Sequence, residues 1–282
     1  VKYLITGGNG FLAKELFNYF SKDSKKTRVF APNRLTLDVA DPENVKLFFE
    51  QIDIDVVIHT AVKGGKRLGE DSVDDLFTNL AMYQNLLNYS HKFKIMFNFG
   101  SGAEFDRRNS IEDMSEDEIF NYIPKDYYGL SKNLISRQIS NNKEDIYNLR
   151  LYGCFGEFEE NQRLFRSCYN RLSSGEDAII HQDKYMDYFY AQDAGRVISH
   201  IVSNRKEKLP RDINLCYSQK HLISEHAKHI KNLTDSPGDV IIKDKCMGLS
   251  YVGDSSKLDE LNIKLVGIEG GIRECLKSWN KS

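Results

Sequence analysis

The stretch Tyr3-Leu4-Ile5-Thr6-Gly7-Gly8-Asn9-Gly10-Phe11-Leu12-Ala13 constrains this chain more than any other. An apolar run stops at a glycine-rich corner and passes directly into apolar positions at helical spacing: Phe11, Leu12, Leu16, Phe17 and Phe20. That reads as strand, tight turn and helix. Glycine lets the main chain come close to a ligand, and the first turn of a helix offers unpaired N–H groups and partial positive charge. Such a corner suits a diphosphate. The spacing Gly7-x-x-Gly10-x-x-Ala13 is a variant of the dinucleotide-binding fingerprint, with a small residue where helix and strand must touch. At this point a plain tight turn without a ligand stays open, because glycine corners recur without one.

Strands alternate with helices along the next 150 residues. Residues 28–31, 55–59, 94–99 and 146–151 read as strands. Asp41 is a good N-cap with Pro42 at the first helical position, followed by Val45, Phe48, Phe49 and Ile52 at helical spacing. Residues 72–89 form a long amphipathic pattern. This alternation predicts right-handed βαβ crossovers and an α/β fold, a doubly wound parallel (Rossmann) sheet whose ligands sit at the carboxyl ends of the strands. Four loops leave those ends: 7–13, 33–38, 60–65 and 100–104. Small residues dominate three of them, leaving room for a flat cofactor. With 282 residues the chain is one large domain or two lobes.

Composition removes several functions. With 39 basic and 41 acidic residues, no global field favours nucleic acid or a membrane surface. No run of ~18 apolar residues is present, and the sequence enters a strand at once rather than a signal peptide. Cys154, Cys168, Cys216, Cys246 and Cys275 are scattered without metal-ligand or CxxC spacing, which predicts reduced thiols in a cytoplasmic protein and no metal site. His221, His226 and His229 lie on an expected surface helix without a carboxylate or cysteine partner.

Tyr128 and Lys132 are four apart on an expected helix and share a face. Alone, the pair reads as solvent-facing. Its position after the Ser101 loop, in a chain with the glycine corner, makes it a candidate acid–base pair.

Together these residues resemble the extended short-chain dehydrogenase/reductase (NAD-dependent epimerase/dehydratase) family, nearest its branch of GDP-L-fucose synthases and related nucleotide-sugar 4-keto reductases. The matching pieces are Thr6-Gly7-x-x-Gly10-x-x-Ala13, Leu37-Asp38-Val39, His59 through Gly65, Asn79, Gly100-Ser101, Tyr128-x-x-x-Lys132, Leu149-Arg150 and Asp187 through Asp193. Beyond Asn204 the match thins to Ile213-Asn214 and Asp254 with Lys257-Leu258.

The resemblance implies a dinucleotide-binding domain of residues 1–156 plus about 187–203, and a substrate lobe of 157–186 and 204–282. It implies that Tyr128 gives a proton to a carbonyl oxygen. Lys132 would lower the phenol pKa and bind the nicotinamide ribose, and Ser101 would hold the same oxygen. Gly7, Asn9, Gly10, Phe11, Leu12, Asp38, Val39, Ala61, Val62, Lys63, Asn79, Tyr128 and Lys132 would line the cofactor. Where NAD-binding sites place a carboxylate after the second strand, this sequence has Ala31-Pro32-Asn33-Arg34. Arg34 suits a 2′-phosphate, so NADPH is expected, with NADH or NAD the alternative.

On the substrate side the resemblance points to a nucleotide-diphospho-sugar held by Lys63, Ser101, Gly102, Ala103, Tyr128, Arg163 and Arg171. Relatives that dehydrate carry Asp-Glu after the serine, where this chain has Gly102-Ala103. Relatives that epimerise carbons 3 and 5 carry a cysteine at Ala103 and a histidine at Arg163. A simple 4-keto reductase of a GDP-linked 6-deoxy sugar, in polysaccharide biosynthesis, is therefore expected. Its alternatives are a 4-epimerase with tightly held NAD and a non-catalytic cofactor-binding regulator. The arginine that usually precedes Asp187-Tyr188 is Met186, with Lys184 nearby. Helices 72–91 and 127–143 pair into a dimer interface in many relatives, so a homodimer is expected.

Overall fold

The computed structural model describes residues 1–22, 25–65, 70–142 and 144–281; positions 23, 24, 66–69, 143 and 282 of the expected ranges lie outside the described residues. The first half runs β1 (Lys2–Thr6), α1 (Phe11–Ser21), β2 (Arg28–Phe30), α2 (Pro42–Gln51), β3 (Val56–His59), α3 (Val73–Leu87), β4 (Ile95–Ser101), β5 (Ile111–Met114), α4 (Tyr127–Ser140) and β6 (Ile146–Leu151). The second continues through β7 (Cys154–Phe155), α5 (Leu164–Ser173), β8 (Ala178–Gln182), β9 (Phe189–Tyr190), α6 (Ala191–Ser203) and β10 (Asp212–Leu215). It ends with α7 (Ile223–Thr234), β11 (Val240–Asp244), β12 (Tyr251–Gly253), α8 (Ser256–Asp259) and α9 (Gly267–Trp279).

The central sheet has six strands in the order β10-β6-β4-β3-β1-β2, all parallel. Strand alternation sends successive side chains to opposite faces. Ile5, Ile58 and Phe97 meet Leu16 and Phe20 of α1 and Val197, Ile198 and Ile201 of α6. Their neighbours Leu4, Val57 and Met96 meet Phe49, Met82, Leu86, Ile135 and Ile139 from α2, α3 and α4. Helices on both faces make the doubly wound fold, and the strand order reverses between β1 and β3, where such sheets leave a crevice.

A separate core builds the second lobe: Phe165 and Leu172 of α5, Ala227 and Ile230 of α7, and Ile272, Leu276 and Trp279 of α9. Residues 204–282, expected wholly in that lobe, also serve the first. β10 pairs with β6, and Leu258 and Leu261 join the α1–α6 core. The strand is hard to see in sequence because it has four residues, and Asn214 interrupts its apolar run to bind the buried Arg150.

Helix starts differ in a way that bears on the site. Asp41 accepts from the Glu43 and Asn44 amides, Ser72 exchanges bonds with Asp75, and Asp126 accepts from the Gly129 amide. The start of α1, at Gly10, has no side-chain cap.

Candidate active site

Gly7 adopts φ +71°, and a Cβ there would stand 2.9 Å from the Ala61 Cα. A Cβ on Gly8 would reach within 2.1 Å of the Ala31 carbonyl oxygen. The Gly10 amide donates to the Gly7 carbonyl at 2.8 Å, and the Gly8 amide to that of Pro32 at 3.0 Å. The ends of β1, β2 and β3 are thus drawn together around glycine. Thr6 ties the corner below: its Oγ1 lies 2.9 Å from His59 Nδ1 and accepts from the Ala61 amide at 3.2 Å. Burial, then the Lys132 charge, push the His59 imidazole down to about 3, so it is a neutral structural ring. Asn9 and Gly10 are exposed, with Phe11 and Leu12 half-buried beside them. An uncapped helix start behind a glycine corner fits a dinucleotide's diphosphate.

At the end of β2, Arg34 Nε donates to Asp38 Oδ2 at 2.8 Å. Burial pushes the Asp38 carboxyl up, but Arg34 and the Ala40 amide outweigh it and hold it below the usual range. Val39 is buried, and its carbonyl accepts from Asn85.

The 60–65 loop is held by Asn79, whose Oδ1 accepts from the Lys63 amide while its Nδ2 donates to the Lys63 carbonyl, both at 2.9 Å. The same Nδ2 reaches Ser131 of α4 at 3.0 Å. Asn79, expected to line the cofactor, is therefore committed to fixing the loop. Lys63 Nζ pairs with Asp75 at 3.4 Å, and Val62 is exposed. Gly65, at φ +69°, lies so close to the Tyr128 ring that a Cβ would come within 2.8 Å of it.

Ser101 ends β4. Its amide donates to Glu104 Oε1 at 2.8 Å, and its Oγ accepts from the Ala103 amide at 3.2 Å. Glu104 Oε2 accepts from Arg150 Nε at 2.7 Å, and both side chains are wholly buried. Arg150 also donates to Asn214 at 3.0 Å, Ser136 at 3.0 Å and Asp212 at 2.8 Å. Glu104 is thus an anchor beneath the serine rather than a base in the cavity.

Tyr128 lies in the first turn of α4, with Lys132 one turn on. Burial pushes the Tyr128 phenol up, and the Ser101 hydroxyl followed by the Arg107 charge draw it down. Lys132 was expected to supply that pull. Instead its Nζ donates to the Phe99 carbonyl at 2.6 Å, and burial pushes its ammonium down to about 8. Arg107, whose guanidinium stands 5.7 Å from the Tyr128 ring centre and pairs with Asp126 at 2.8 Å, is the cation that acts most on the phenol. Arg107 was not singled out in the sequence, and neither was Tyr251, whose hydroxyl lies 3.5 Å from Ser101 Oγ. Gly102 and Ala103 are buried behind the serine.

The three arginines of the expected substrate helix diverge. Arg163 stands at the start of α5 over the Phe11 ring at 4.9 Å, donating to the Cys154 carbonyl at 2.8 Å. Arg166 lies over the Trp279 ring at 4.8 Å. Arg171 closes the loop after α5 through the Asp177 carbonyl and Glu176. Only Arg163 adjoins the glycine corner. Cys154 is a buried thiol whose pKa burial raises. Lys184 Nζ stands 5.7 Å over the Tyr251 ring.

Residues 3–216 match the model of the NAD dependent epimerase/dehydratase family. No curated protein sequence matches the chain. Among solved structures, the fold superposes on GDP-mannoheptose C4 reductase of Campylobacter jejuni, with NADP bound, at a TM-score of 0.84 and 19% identity, covering 99% of this chain and 98% of that one. A GDP-L-fucose synthetase from Naegleria fowleri gives 0.81 at 19% identity, covering 100% and 93%. The Bordetella bronchiseptica enzyme WbmG, in complex with NAD and UDP, gives 0.79 at 20% identity, covering 99% and 94%. At such identities the likeness speaks for the fold, while the family match, residues 3–216 of the 282, carries the glycine corner, Ser101, Tyr128 and Lys132. The chain belongs to the NAD dependent epimerase/dehydratase family.

Proposed function

We propose that this protein reduces the C4 keto group of a nucleotide-diphospho-sugar with NADPH. The observation that carries the reading is the convergence of Ser101, Tyr128 and Lys132 at the carboxyl end of β4, with Lys132 near His59, which bonds Thr6 of the glycine corner. The corner would hold a nicotinamide dinucleotide, which would supply the hydride. As negative charge grows on the carbonyl oxygen, Ser101 donates a hydrogen bond to it and Tyr128 gives it a proton. Burial keeps the phenol protonated until then, and Arg107 favours the phenolate left behind. Lys132, anchored on Phe99, binds the ribose. Asn9, Gly10, Phe11, Leu12, Ala61 and Val62 line the cofactor, and Arg34 presents the free edge of its guanidinium to a 2′-phosphate. Arg163 and Lys63 serve the substrate, with Arg171 further out.

GDP as the nucleotide, and a 6-deoxy sugar, are supported by the likeness to the GDP-linked reductases. Ala103 and Arg163, at the positions of the epimerising groups, favour reduction without epimerisation. A spectrophotometric screen of NADPH oxidation against GDP-, dTDP-, CDP- and UDP-4-keto-6-deoxy sugars tests this. The product should gain two hydrogens and no deuterium at carbons 3 or 5. Tyr128→Phe should lower turnover by about 10²-fold or more while NADPH still binds; an unchanged rate would remove Tyr128 from the mechanism.

The Arg34–Asp38 contact favours a second reading, because a carboxylate near the adenine ribose suits NAD, the cofactor of a 4-epimerase. Conversion of a UDP-hexose without added cofactor would select it. A homodimer through α3 and α4 is supported by the exposure of Val73, Phe77, Tyr127 and Leu134 on those helices. Sedimentation at micromolar concentration tests it, and a monomer there would refute it. Among the described residues no helix is long and apolar enough to cross a membrane.

A further inference from the structure

Tyr251 reaches the catalytic serine from 150 residues away in sequence. Its main chain is pinned on both sides. The Tyr251 amide donates to the Tyr185 carbonyl at 2.9 Å, the Asp187 amide to the Tyr251 carbonyl at 3.1 Å, and Tyr251 is in register with Ile111 of β5. The ring is fixed as well. It packs edge-to-face on Tyr152 with centroids 5.2 Å apart, and a Cβ on Gly102 would come within 2.8 Å of its Cζ. A phenol held this firmly has one polar atom to place, and that atom lies 3.5 Å from Ser101 Oγ.

A serine hydroxyl has one proton to donate and two acceptor positions. At Ser101 the Ala103 amide occupies one of them. We propose that the Tyr251 hydroxyl donates into the second, so that the single Ser101 proton is aimed at the substrate's carbonyl oxygen. Tyr251 is then a positioning residue acting through Ser101, and the inference rests on the reductase reading of that serine. With both acceptor positions filled, the Ser101 proton is confined to the side where Tyr128 stands, whose phenol it draws down, and where the carbonyl oxygen would sit, so its donor direction is narrowed before substrate arrives. Burial raises the Tyr251 phenol by more than the Ser101 hydroxyl lowers it, so it keeps its own proton across the neutral range, and the hydroxyl contact itself leaves either oxygen free to donate.

Two measurements on the full chain test this. In protein carrying [13Cζ]tyrosine, with the Tyr251 signal identified by its loss in Tyr251→Phe, Ser101→Ala should shift that signal and Ser101→Thr should restore it. In NADPH oxidation with a GDP-4-keto-6-deoxyhexose, Tyr251→Phe keeps the ring and should lower kcat about tenfold, the effect of one hydrogen bond realised in the transition state, with KM changed less than about twofold. Added to Ser101→Ala, the same substitution should have less than about a twofold effect on kcat, because the group it acts through is gone. An unmoved Tyr251 signal, or fully additive losses, would overturn the role while normal turnover kept the reductase reading intact. Failure of the unmodified protein to oxidise NADPH with any of the 4-keto sugars would overturn that reading and the role together.

Discussion

Beneath Ser101, buried charge is matched almost atom for atom. Arg150 meets Glu104, Asp212, Asn214 and Ser136, and Asn148 bridges Asn98, Ser136 and Asp212. The second lobe handles buried polarity differently. Glu159 Oε2, Arg166 Nη1, His226 Nε2 and His229 Nε2 are all buried without a hydrogen-bond partner among the described residues. On the sheet side only Tyr83 Oη and Asn98 Oδ1 are in that position among the described residues. A matched network fixes geometry, because each partner loses heavily if another moves. Unmatched groups cost free energy wherever they stand, so the second lobe leans more on aromatic packing, as where Phe165 stacks on Phe155 and meets Tyr188 edge-on.

The largest test of that contrast is Arg150→Met. It strands Glu104 and Asp212 and should destabilise the protein by about 3–5 kcal/mol in chemical denaturation, since one partner of a buried pair leaves an uncompensated charge. A loss no greater than that of a surface substitution would end the comparison.

The junction between the two regions should show a pH signature. Glu15 of α1 accepts from the Phe158 amide at 2.7 Å and from Gln192 at 3.1 Å, and burial pushes its carboxyl up from 4.5 to about 7. Glu159 is pushed, again chiefly by burial, to about 8. The folded chain holds these protons where the unfolded chain has released them. The associated stability is full below about 4.5 and is lost as pH rises through about 7 and 8. The melting temperature should fall across that window, and Glu15→Gln should flatten the lower part of the fall.

Glu159→Gln sharpens the same point on the lobe itself. At pH 7 the group is already largely neutral, so the amide should change stability by less than about 1 kcal/mol. The smallest effect belongs to Arg34→Ala. Its pair with Asp38 lies on an arginine side chain that is 78% exposed, so the melting temperature should hardly move. The affinity for NADPH, measured by fluorescence titration, should drop relative to that for NADH. An unaltered preference would assign the 2′-phosphate to other residues.

How much of this was legible in the sequence follows the range of the interactions. The glycine corner, the Asp41-Pro42 helix start and the Tyr128–Lys132 turn are local patterns, and each stands where the sequence places it. Arg150 gave a weaker signal, a charge that joins Asn148 inside the mostly apolar 146–151 run, which implies buried partners without naming Glu104 or Asp212. Arg107 and Tyr251 gave none. Each reaches the Tyr128 phenol or Ser101 by tertiary packing, Arg107 from the loop that follows the Gly102–Phe105 turn and Tyr251 across two short strands. The direction of the Lys132 ammonium was illegible for a related reason. Sharing a helix face fixes where two Cβ atoms stand, and the Phe99 carbonyl then decides where the ammonium goes.

The bare start of α1 has a thermodynamic consequence. Its first amides are left to solvent or to an anion, so occupancy of the corner and folding of the first crossover are linked equilibria. A nucleotide present at 100 times its dissociation constant, bound to the native chain alone, adds about 2.7 kcal/mol to the unfolding free energy. The resistance of this enzyme to heat and proteolysis should therefore track the cell's supply of its coenzyme, making the glycine corner a point at which metabolic state sets protein lifetime.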